Sequence, residues 1–374
     1  MNESERLHHE ALVCDLHVDT LQRIALGQSL SGHQGHLDIP RMRRGGLNLQ
    51  FFAAWVDRVY LPRDGTPDRS FARAIELLDA FDREMRAHAE AIAPVGSAAQ
   101  ARCVLSGGRL VAALGVEGGH AIENDLDKLQ ELYRRGVRYM TLTWNNTTDW
   151  ADAAKEETLH GTRHGGLTAF GEEVVRRMNR LGMIVDLSHA AESTFWHVLR
   201  ISTAPVMASH SNAHALSPHY RNLKDEQIRA LAERGGIIGI NFYSAFLDAE
   251  FSRRSQEAEE RCRESFEALE REHAYDYPRL AELGLQLLNA QMGHVPVPAS
   301  RIADHIEHMV RLVGPDHVAL GSDFDGTSAL PDDMLDVSCL PLVTRLLHER
   351  GFGEAEIRKI LGENVLRFFE TVCG

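Results

Sequence analysis

The chain has 374 residues, of which 44% are hydrophobic and 25% are charged, and its formal net charge is −14. This composition is typical of a globular protein with a sizeable core, and it excludes a largely disordered chain. The negative charge, with no long cluster of Lys and Arg, argues against nucleic-acid binding, because phosphate contacts need clustered basic residues.

The cysteines and the ends of the chain bear on the cellular compartment. The five cysteines are scattered without CxxC spacing, so the sequence predicts neither a disulfide framework nor a thiolate zinc site. No apolar run approaches the roughly 20 residues of a membrane span, and the first residues lack a signal-peptide pattern. We therefore expect a cytoplasmic protein in a reducing compartment, with neither a membrane nor a nucleic acid as partner.

Short apolar runs alternate with amphipathic helical patterns along the chain. The predicted strands are residues 11–16, 47–54, 110–116, 137–143, 183–188, 205–209, 237–242 and 317–322. Helical patterns between them include 71–78, 126–132, 170–178 and 225–231. Eight strand–helix alternations predict an α/β fold, a (β/α)8 barrel of the TIM type. The alternative is a doubly wound open sheet, which would more often show a Gly-rich phosphate loop after the first strand.

Two stretches depart from this alternation. Residues 27–46 are rich in Gly and His and predict a loop with a short turn into the second strand. Residues 250–290 predict a charged helical insertion after the seventh strand, for which we favour a solvated segment over a lid or an oligomer contact. We expect residues 1–374 to form one barrel domain that carries this insertion.

Acidic residues and histidines follow five of the eight predicted strands. They are His17 and Asp19 at the first strand, Glu117 at the third, His189 at the fifth, His210 at the sixth and Asp323 at the eighth. The carboxyl ends of all strands in a barrel face one rim, where catalytic groups collect. A histidine at one strand end is more often a satisfied hydrogen-bonding residue than a ligand. Three histidines and three carboxylates at matching ends predict a metal centre.

The number of ligands suggests the chemistry. Five ligands are too many for one catalytic zinc with an open position, and they divide over two ions that share Glu117. Two ions can hold a bridging hydroxide, which is a nucleophile available at neutral pH. The predicted reaction class is metal-assisted hydrolysis, in which Asp323 accepts the proton of the water and passes it to the leaving group.

Several motifs together resemble the renal or membrane dipeptidase family of the amidohydrolase superfamily. The matching strings are Asp-Leu-His-Val-Asp at 15–19, Gly-Val-Glu-Gly-Gly-His at 115–120, Val-Asp-Leu-Ser-His at 185–189, Ser-His-Ser-Asn-Ala at 209–213 and Asp-Phe-Asp-Gly at 323–326. Arg-Asn at 221–222, Asn-Phe-Tyr at 241–243 and Gly-Glu-Asn-Val-Leu-Arg at 362–367 match as well. The resemblance therefore covers nearly the whole chain.

The resemblance implies a role for each matching residue. Two Zn²⁺ ions per subunit would be held by His17 and Asp19 on one side and by His189 and His210 on the other, with Glu117 between them and Asp323 as the acid/base. Arg221 is similar to the residue that receives the C-terminal carboxylate of a dipeptide, for which a planar guanidinium is suited. Tyr243 resembles a further residue of the substrate pocket. The resemblance also suggests a homodimer.

One position departs from the family pattern. Trp144 stands where the renal enzyme has a histidine that contacts the substrate carbonyl. Its indole N–H can donate to a developing oxyanion, or the ring can form a wall of the pocket. This departure bears on transition-state stabilisation and on the range of substrates.

Three hypotheses follow. The first is a zinc-dependent dipeptidase in which a metal-bridging hydroxide attacks the peptide bond of a small dipeptide. The second is an amidohydrolase that acts on another small amide, an N-acyl amino acid or a β-lactam, and Trp144 favours it. The third is a barrel that binds metal or peptide without catalysis, against which the complete ligand set and Asp323 argue.

Overall fold

The computed structural model describes residues 2–63 and 65–374. Within these ranges the strands are β1 (Cys14–Val18), β2 (Leu49–Trp55), β3 (Ile92–Pro94), β4 (Leu110–Glu117), β5 (Val137–Thr141), β6 (Ile184–Asp186), β7 (Met207–Ala208), β8 (Ile237–Ile240) and β9 (Val318–Leu320). They form one parallel sheet in the order β2-β1-β9-β8-β7-β6-β5-β4-β3. A further parallel pairing of β2 with β4 closes eight of them into a barrel and leaves β3 outside. The predicted (β/α)8 barrel is confirmed.

Helices surround this barrel and connect its strands. The first nine are α1 (Glu3–Glu10), α2 (Leu21–Ala25), α3 (Ile39–Arg44), α4 (Ser70–Ala87), α5 (Ala98–Ser106), α6 (Leu126–Arg134), α7 (Ala154–His160), α8 (Ala169–Leu181) and α9 (Glu192–Ile201). The others in the described ranges are α10 (Asp225–Glu233), α11 (Ser244–Leu247), α12 (Ala249–Arg261), α13 (Arg263–Glu272), α14 (Tyr277–Met292), α15 (Ser300–Val313), α16 (Pro341–Glu349), α17 (Glu354–Arg358) and α18 (Asn364–Cys373).

The eight predicted strands each overlap one strand of the barrel, and two local predictions were wrong. The three-residue strand β3 was missed, because so short a run carries no period-2 signal. Residues Ile39–Arg44, predicted as loop and turn, form a helix. Asp38 caps this helix by accepting a hydrogen bond from the backbone N–H of Arg41 at 2.8 Å.

The barrel strands are buried on both faces, which explains their near-continuous apolar sequences. Every residue of β2 and of β4 is buried. One face of each strand packs against its neighbours inside the barrel, and the other packs under the helices. Inside, Leu16, Phe51 and Tyr139 belong to one apolar cluster. This rigid cylinder fixes the direction of the side chains at its carboxyl rim.

Helices α12, α13 and α14 follow β8, the seventh strand of the barrel, and correspond to the predicted insertion. Helix α13 has no buried residue, and α14 buries only Leu288 among its described positions. Helices α13 and α14 therefore add little to the hydrophobic core, whereas α12 buries Phe251 and Ala258. The assignment of residues 1–374 to one domain stays a prediction. Across residues 2–63 and 65–374, no helix combines the length and the apolar character that crossing a membrane requires.

Candidate active site

The six residues predicted for the metal centre lie together at the carboxyl rim of the barrel. His17 lies in β1, and Glu117 is the last residue of β4. Asp19, His189, His210 and Asp323 follow β1, β6, β7 and β9, respectively. All six are buried except Asp323, which is partly exposed. Closure of the barrel thus brings together residues as far apart in the sequence as His17 and Asp323, which are separated by 306 positions.

Glu117 lies at the centre of this group. Its Oε2 atom is 3.2 Å from Nε2 of His17, whereas its Oε1 atom is 2.8 Å from Nε2 of His189 and 3.6 Å from Nε2 of His210. Asp19 lies on the His17 side of Glu117, and its Oδ2 atom is 3.4 Å from Nε2 of His17. The two oxygens of one carboxylate therefore face two different sets of neighbours.

The three histidines are oriented from behind by neutral polar groups. Nδ1 of His17 lies 2.8 Å from the Tyr139 hydroxyl, and Nδ1 of His210 lies 2.7 Å from Oγ of Ser209. Nδ1 of His189 donates to Oδ1 of Asn145 at 3.2 Å. Such partners fix the ring orientation, so that Nε2 of each ring points to the centre. Sequence reasoning did not assign these three partners.

A glycine makes room for one of these partners. A Cβ at Gly115 would lie 2.1 Å from Cζ of Tyr139. Any side chain at this position of β4 would therefore displace the tyrosine ring from the barrel interior. The small residue two positions before Glu117 is thus needed for the hydroxyl that orients His17.

The centre brings three carboxylates close together, and this shifts the pKa values of its groups. Burial raises the pKa of Asp19 to about 8, and the pKa of Asp323 to about 6. Burial also lowers the pKa of His189 to about 4, assisted by the positive charge of Arg221. Although burial opposes it, the charges of Glu117 and Asp19 raise the pKa of His17 well above its usual value. Three carboxylates gathered at this depth are costly without cations, because buried charge needs compensation.

The donor atoms fit a divalent ion. Nε2 of His17 and Oδ1 of Asp19 are buried and have no hydrogen-bond partner among the residues described. Two ligands held about 2.1 Å from one tetrahedral zinc lie about 3.4 Å apart, close to the N···O distances around Glu117. The donor atoms of His17, Glu117 and His210 lie within 4.8 Å of one another, as do those of His17, Asp19 and Asp323. Nitrogen and carboxylate ligands suit zinc and similar ions.

Asp323 lies in a tight turn beside the centre. Its φ of 61° is in the left-handed region, which is uncommon for residues other than glycine. Its Oδ2 accepts a hydrogen bond from Nδ2 of Asn241 at 3.0 Å, and its Oδ1 is 4.0 Å from Nε2 of His17. A Cβ at Gly326 would lie 2.0 Å from Oδ2 of Asp19 and 2.2 Å from Oδ1 of Asp323, so a side chain there would displace both carboxylates.

A cavity of about 760 Å³ opens above the centre and is bordered by Asp19, Glu117, His189 and Asp323. Arg221 lines it and is only 4% exposed. Its guanidinium makes two long contacts, to the carbonyl of His210 at 3.3 Å and to Oγ of Ser211 at 3.5 Å. In the described part of the chain no carboxylate lies within 4.0 Å of it. A buried cation without an anionic partner therefore faces the cavity.

The two remaining predicted residues, Trp144 and Tyr243, also line this cavity. The ring of Trp144 lies 5.0 Å from that of Trp55 and 6.4 Å from that of His189. Tyr243 packs edge-on against Phe246 at 4.8 Å. Trp144 is thus part of an aromatic wall beside the centre, one of the two alternatives that the sequence left open.

Sequence reasoning missed several aromatic residues of the cavity, among them Trp55 and Tyr277. Trp55 ends β2 and pairs in register with Glu117. Tyr277, from the insertion helix α14, packs at a tilt against Trp55, with 4.4 Å between the ring centroids, and donates its hydroxyl hydrogen to the carbonyl of Gly326 at 2.7 Å. The strand end was a signal for Trp55, but no pattern in residues 250–290 marks Tyr277. The interpretation of the insertion as a purely solvated segment was therefore incomplete.

A closed parallel barrel with histidines and carboxylates gathered on its carboxyl rim defines the class, the metal-dependent hydrolases of the (β/α)8 type. The sequence matches the family model described as Membrane dipeptidase (Peptidase family M19) over residues 1–373. The chain belongs to this family of metal-dependent dipeptidases, as the motifs predicted.

Solved structures agree with this assignment. The dipeptidase AC, a metallo peptidase of the same family, shares 27% identity, with a TM-score of 0.78 over 97% of this chain and 99% of that chain. A metallo peptidase from Rhodobacter sphaeroides, solved with a phosphinate mimic of the dipeptide L-Ala-D-Ala, shares 26% identity, with a TM-score of 0.77 over 97% and 99%. The probable dipeptidase PvdM from Pseudomonas aeruginosa, 24% identical, has the same fold, with a TM-score of 0.81 over 99% and 97%.

Proposed function

We propose that this chain is a binuclear zinc dipeptidase that hydrolyses the peptide bond of small dipeptides. The observation that carries the proposal is that the buried guanidinium of Arg221, which forms no ion pair with a carboxylate of the described residues, faces the same cavity as the carboxylate–histidine centre. One end of the cavity is thus suited to a free carboxylate, and the other to metal-assisted hydrolysis. The solved Rhodobacter sphaeroides relative, with its dipeptide mimic, supports a dipeptide as the substrate class.

The ligands divide between two ions as follows. His17 and Asp19 would hold one ion, His189 and His210 would hold the other, and Glu117 would contribute one oxygen to each. The separate approaches of the histidines to Oε1 and Oε2 of Glu117 support this division. When bound, the ions would activate a water molecule at neutral pH and polarise the scissile carbonyl.

The protein residues would supply binding and proton transfer. Arg221 would bind the substrate carboxylate through its guanidinium, which places the peptide bond near the rim. Asp323 would take a proton from the attacking water and donate it to the departing amine. Its bond from Asn241 uses Oδ2, which leaves Oδ1 on the side of the centre. Trp144 and Tyr243 would limit the space for the substrate side chains.

Zinc as the metal and the cytoplasmic location are parts of this proposal that rest on the sequence, and a homodimer is a part that rests on the family resemblance. The scattered cysteines support a reducing compartment, and the nitrogen and oxygen donor set supports zinc.

The test is turnover by purified protein whose metal content has been measured. We expect two zinc equivalents per chain and hydrolysis of L-L or L-D dipeptides. Tripeptides, N-acetyl dipeptides and β-lactams should react at least about tenfold more slowly, which is a difference of about 1.4 kcal/mol in transition-state binding. Faster turnover of the N-blocked compounds would favour the second hypothesis, a different amidohydrolase. No turnover of any of these compounds with two ions bound would refute catalysis on small amides.

A further inference from the structure

His219 is a buried histidine of the cavity that neither the sequence motifs nor the proposed mechanism uses. It lies in the loop between β7 and α10, nine residues after His210, and is 7% exposed. It lines the same cavity as Arg221. Its ring packs on Tyr220 at 4.2 Å and on Phe246 at 4.6 Å between centroids.

The hydrogen bonding of His219 fixes its tautomer. The backbone N–H of Arg221 donates to Nδ1 of His219 at 3.1 Å. Since Nδ1 accepts this bond, it carries no hydrogen, and the neutral ring must carry its hydrogen on Nε2. Burial, assisted by the charges of Arg221 and Lys155, lowers the pKa of His219 to about 3. At neutral pH the ring is therefore an uncharged donor at Nε2.

The Nε2–H group of His219 is not used within the protein. Among residues 2–63 and 65–374, no acceptor forms a hydrogen bond with it, whereas Nδ1 is bonded to the backbone. Nε2 is also absent from the buried atoms that lack a partner, so it is reached from the cavity side. A donor of known tautomer is thus available to whatever enters the cavity.

His219 and Arg221 share one support. The guanidinium carbon of Arg221 lies 5.3 Å from the centroid of the Phe246 ring, on which His219 also packs. The main-chain bond from Arg221 to His219 couples the two residues directly. A carboxylate bound by the guanidinium has further lone pairs to satisfy, since each ionised carboxylate accepts about four hydrogen bonds.

We propose that Nε2–H of His219 is a second donor to the C-terminal carboxylate of the substrate, beside the guanidinium of Arg221. This inference rests on the proposed dipeptidase function. Arg221 supplies charge, which attracts any anion. The neutral donor at His219 adds selectivity for an oxygen acceptor at one position, so that a carboxamide, which presents N–H groups, is rejected more strongly.

The variant His219→Asn tests this role. Oδ1 of asparagine can accept the N–H of the residue two positions on, so the loop keeps its hydrogen bond. The shorter side chain does not bring an N–H to the position of Nε2. We expect KM for a dipeptide to rise about tenfold or more, because hydrogen bonds to charged groups are strong, with kcat changed less than about twofold. KM for the corresponding dipeptide amide should change much less.

His214→Asn is the matched control, since His214 is in the same loop but does not line the cavity. It should leave both KM values unchanged. Metal content is measured for each variant, because a loss of metal would indicate a general disturbance of the loop.

A spectroscopic measurement tests the same inference without turnover. In protein labelled with ¹⁵N-histidine, the His219 signals, assigned by their loss in His219→Asn, should show a protonated Nε2 and a bare Nδ1 at pH 7. The Nε2–H signal should shift when a phosphinate dipeptide mimic is added. A protonated Nδ1, or an unchanged KM in His219→Asn, would overturn the inference. If the unaltered enzyme hydrolysed no dipeptide, the proposed function itself would fail, which is a distinguishable outcome.

Discussion

The barrel rim and the helical insertion border the same cavity but hold their side chains in different ways. At the rim, Glu117 ends a strand that is buried along its whole length, and the histidines around it are hydrogen-bonded from behind. In the insertion, α13 has no buried residue. Glu270 of α13 forms an exposed ion pair with Arg58 at 3.5 Å. Exposed pairs of this kind contribute little to stability.

This difference indicates that the barrel rim and the helical insertion have different roles. The rim positions its groups through a closed sheet, which is the kind of rigid support that catalysis requires. The insertion reaches the centre chiefly through Tyr277, which contacts Trp55 and Gly326. We expect changes at the rim to abolish the reaction, and changes in the insertion to alter its efficiency.

The largest effect is expected from Glu117→Gln at the rim. The amide has nearly the same shape but lacks the negative charge that two ions would share. We expect kcat/KM to fall on the order of 10³-fold, which corresponds to about 4 kcal/mol of transition-state stabilisation. The zinc content should fall below two equivalents per chain. Dipeptide turnover and elemental analysis measure the two effects.

Glu131→Gln is the control for this substitution, since Glu131 forms an exposed ion pair with Arg134 on α6. It should retain both metal and activity. Full activity and two zinc equivalents in Glu117→Gln would show that this carboxylate does not join two ions, and the proposed division of ligands would be wrong.

The same comparison explains what the sequence could predict. Side chains such as His17 and Glu117 were predictable because a strand end in a barrel fixes where a residue points, whatever the helices do. Tyr277 was not, because its place depends on how three helices, two of which bury almost no residue, pack over the rim. His219 was missed because its tautomer depends on a loop hydrogen bond that no spacing encodes.

His305 connects the two regions and makes stability depend on pH. Its Nδ1 accepts the N–H of Ala213, just after the rim residue His210, at 3.1 Å. Its Nε2 donates to the carbonyl of Leu247, just before the insertion, at 3.0 Å. Burial lowers its pKa to about 4, although the Leu247 carbonyl opposes this shift. Protonation would place a hydrogen on Nδ1 against the N–H of Ala213.

The direction of this pH dependence follows from the linkage between folding and the protonation of His305. Between about pH 6.5 and 4 the unfolded chain binds the proton at His305 and the folded chain does not, so the free energy of unfolding decreases as pH falls through this range. The shifted pKa of His305 changes the free energy of unfolding by about 3 kcal/mol over this range. The non-titrating variant His305→Gln lacks this term. Denaturant unfolding should show the difference between the two proteins shrinking by that amount from pH 7 to pH 4, and a constant difference would contradict the prediction.

The smallest effect is expected from Tyr277→Phe, which tests whether the insertion touches the chemistry at all. The substitution removes the hydroxyl that donates to the carbonyl of Gly326 but keeps the ring on Trp55. One neutral hydrogen bond contributes about 0.5–1.5 kcal/mol, so kcat should fall about twofold to tenfold if the bond steadies the turn that carries Asp323. The matched control is Tyr275→Phe, because Tyr275 is 63% exposed and packs on Tyr60 outside the turn. Equal rates in the two variants would mean that the insertion only covers the cavity, and that the rim alone determines the rate.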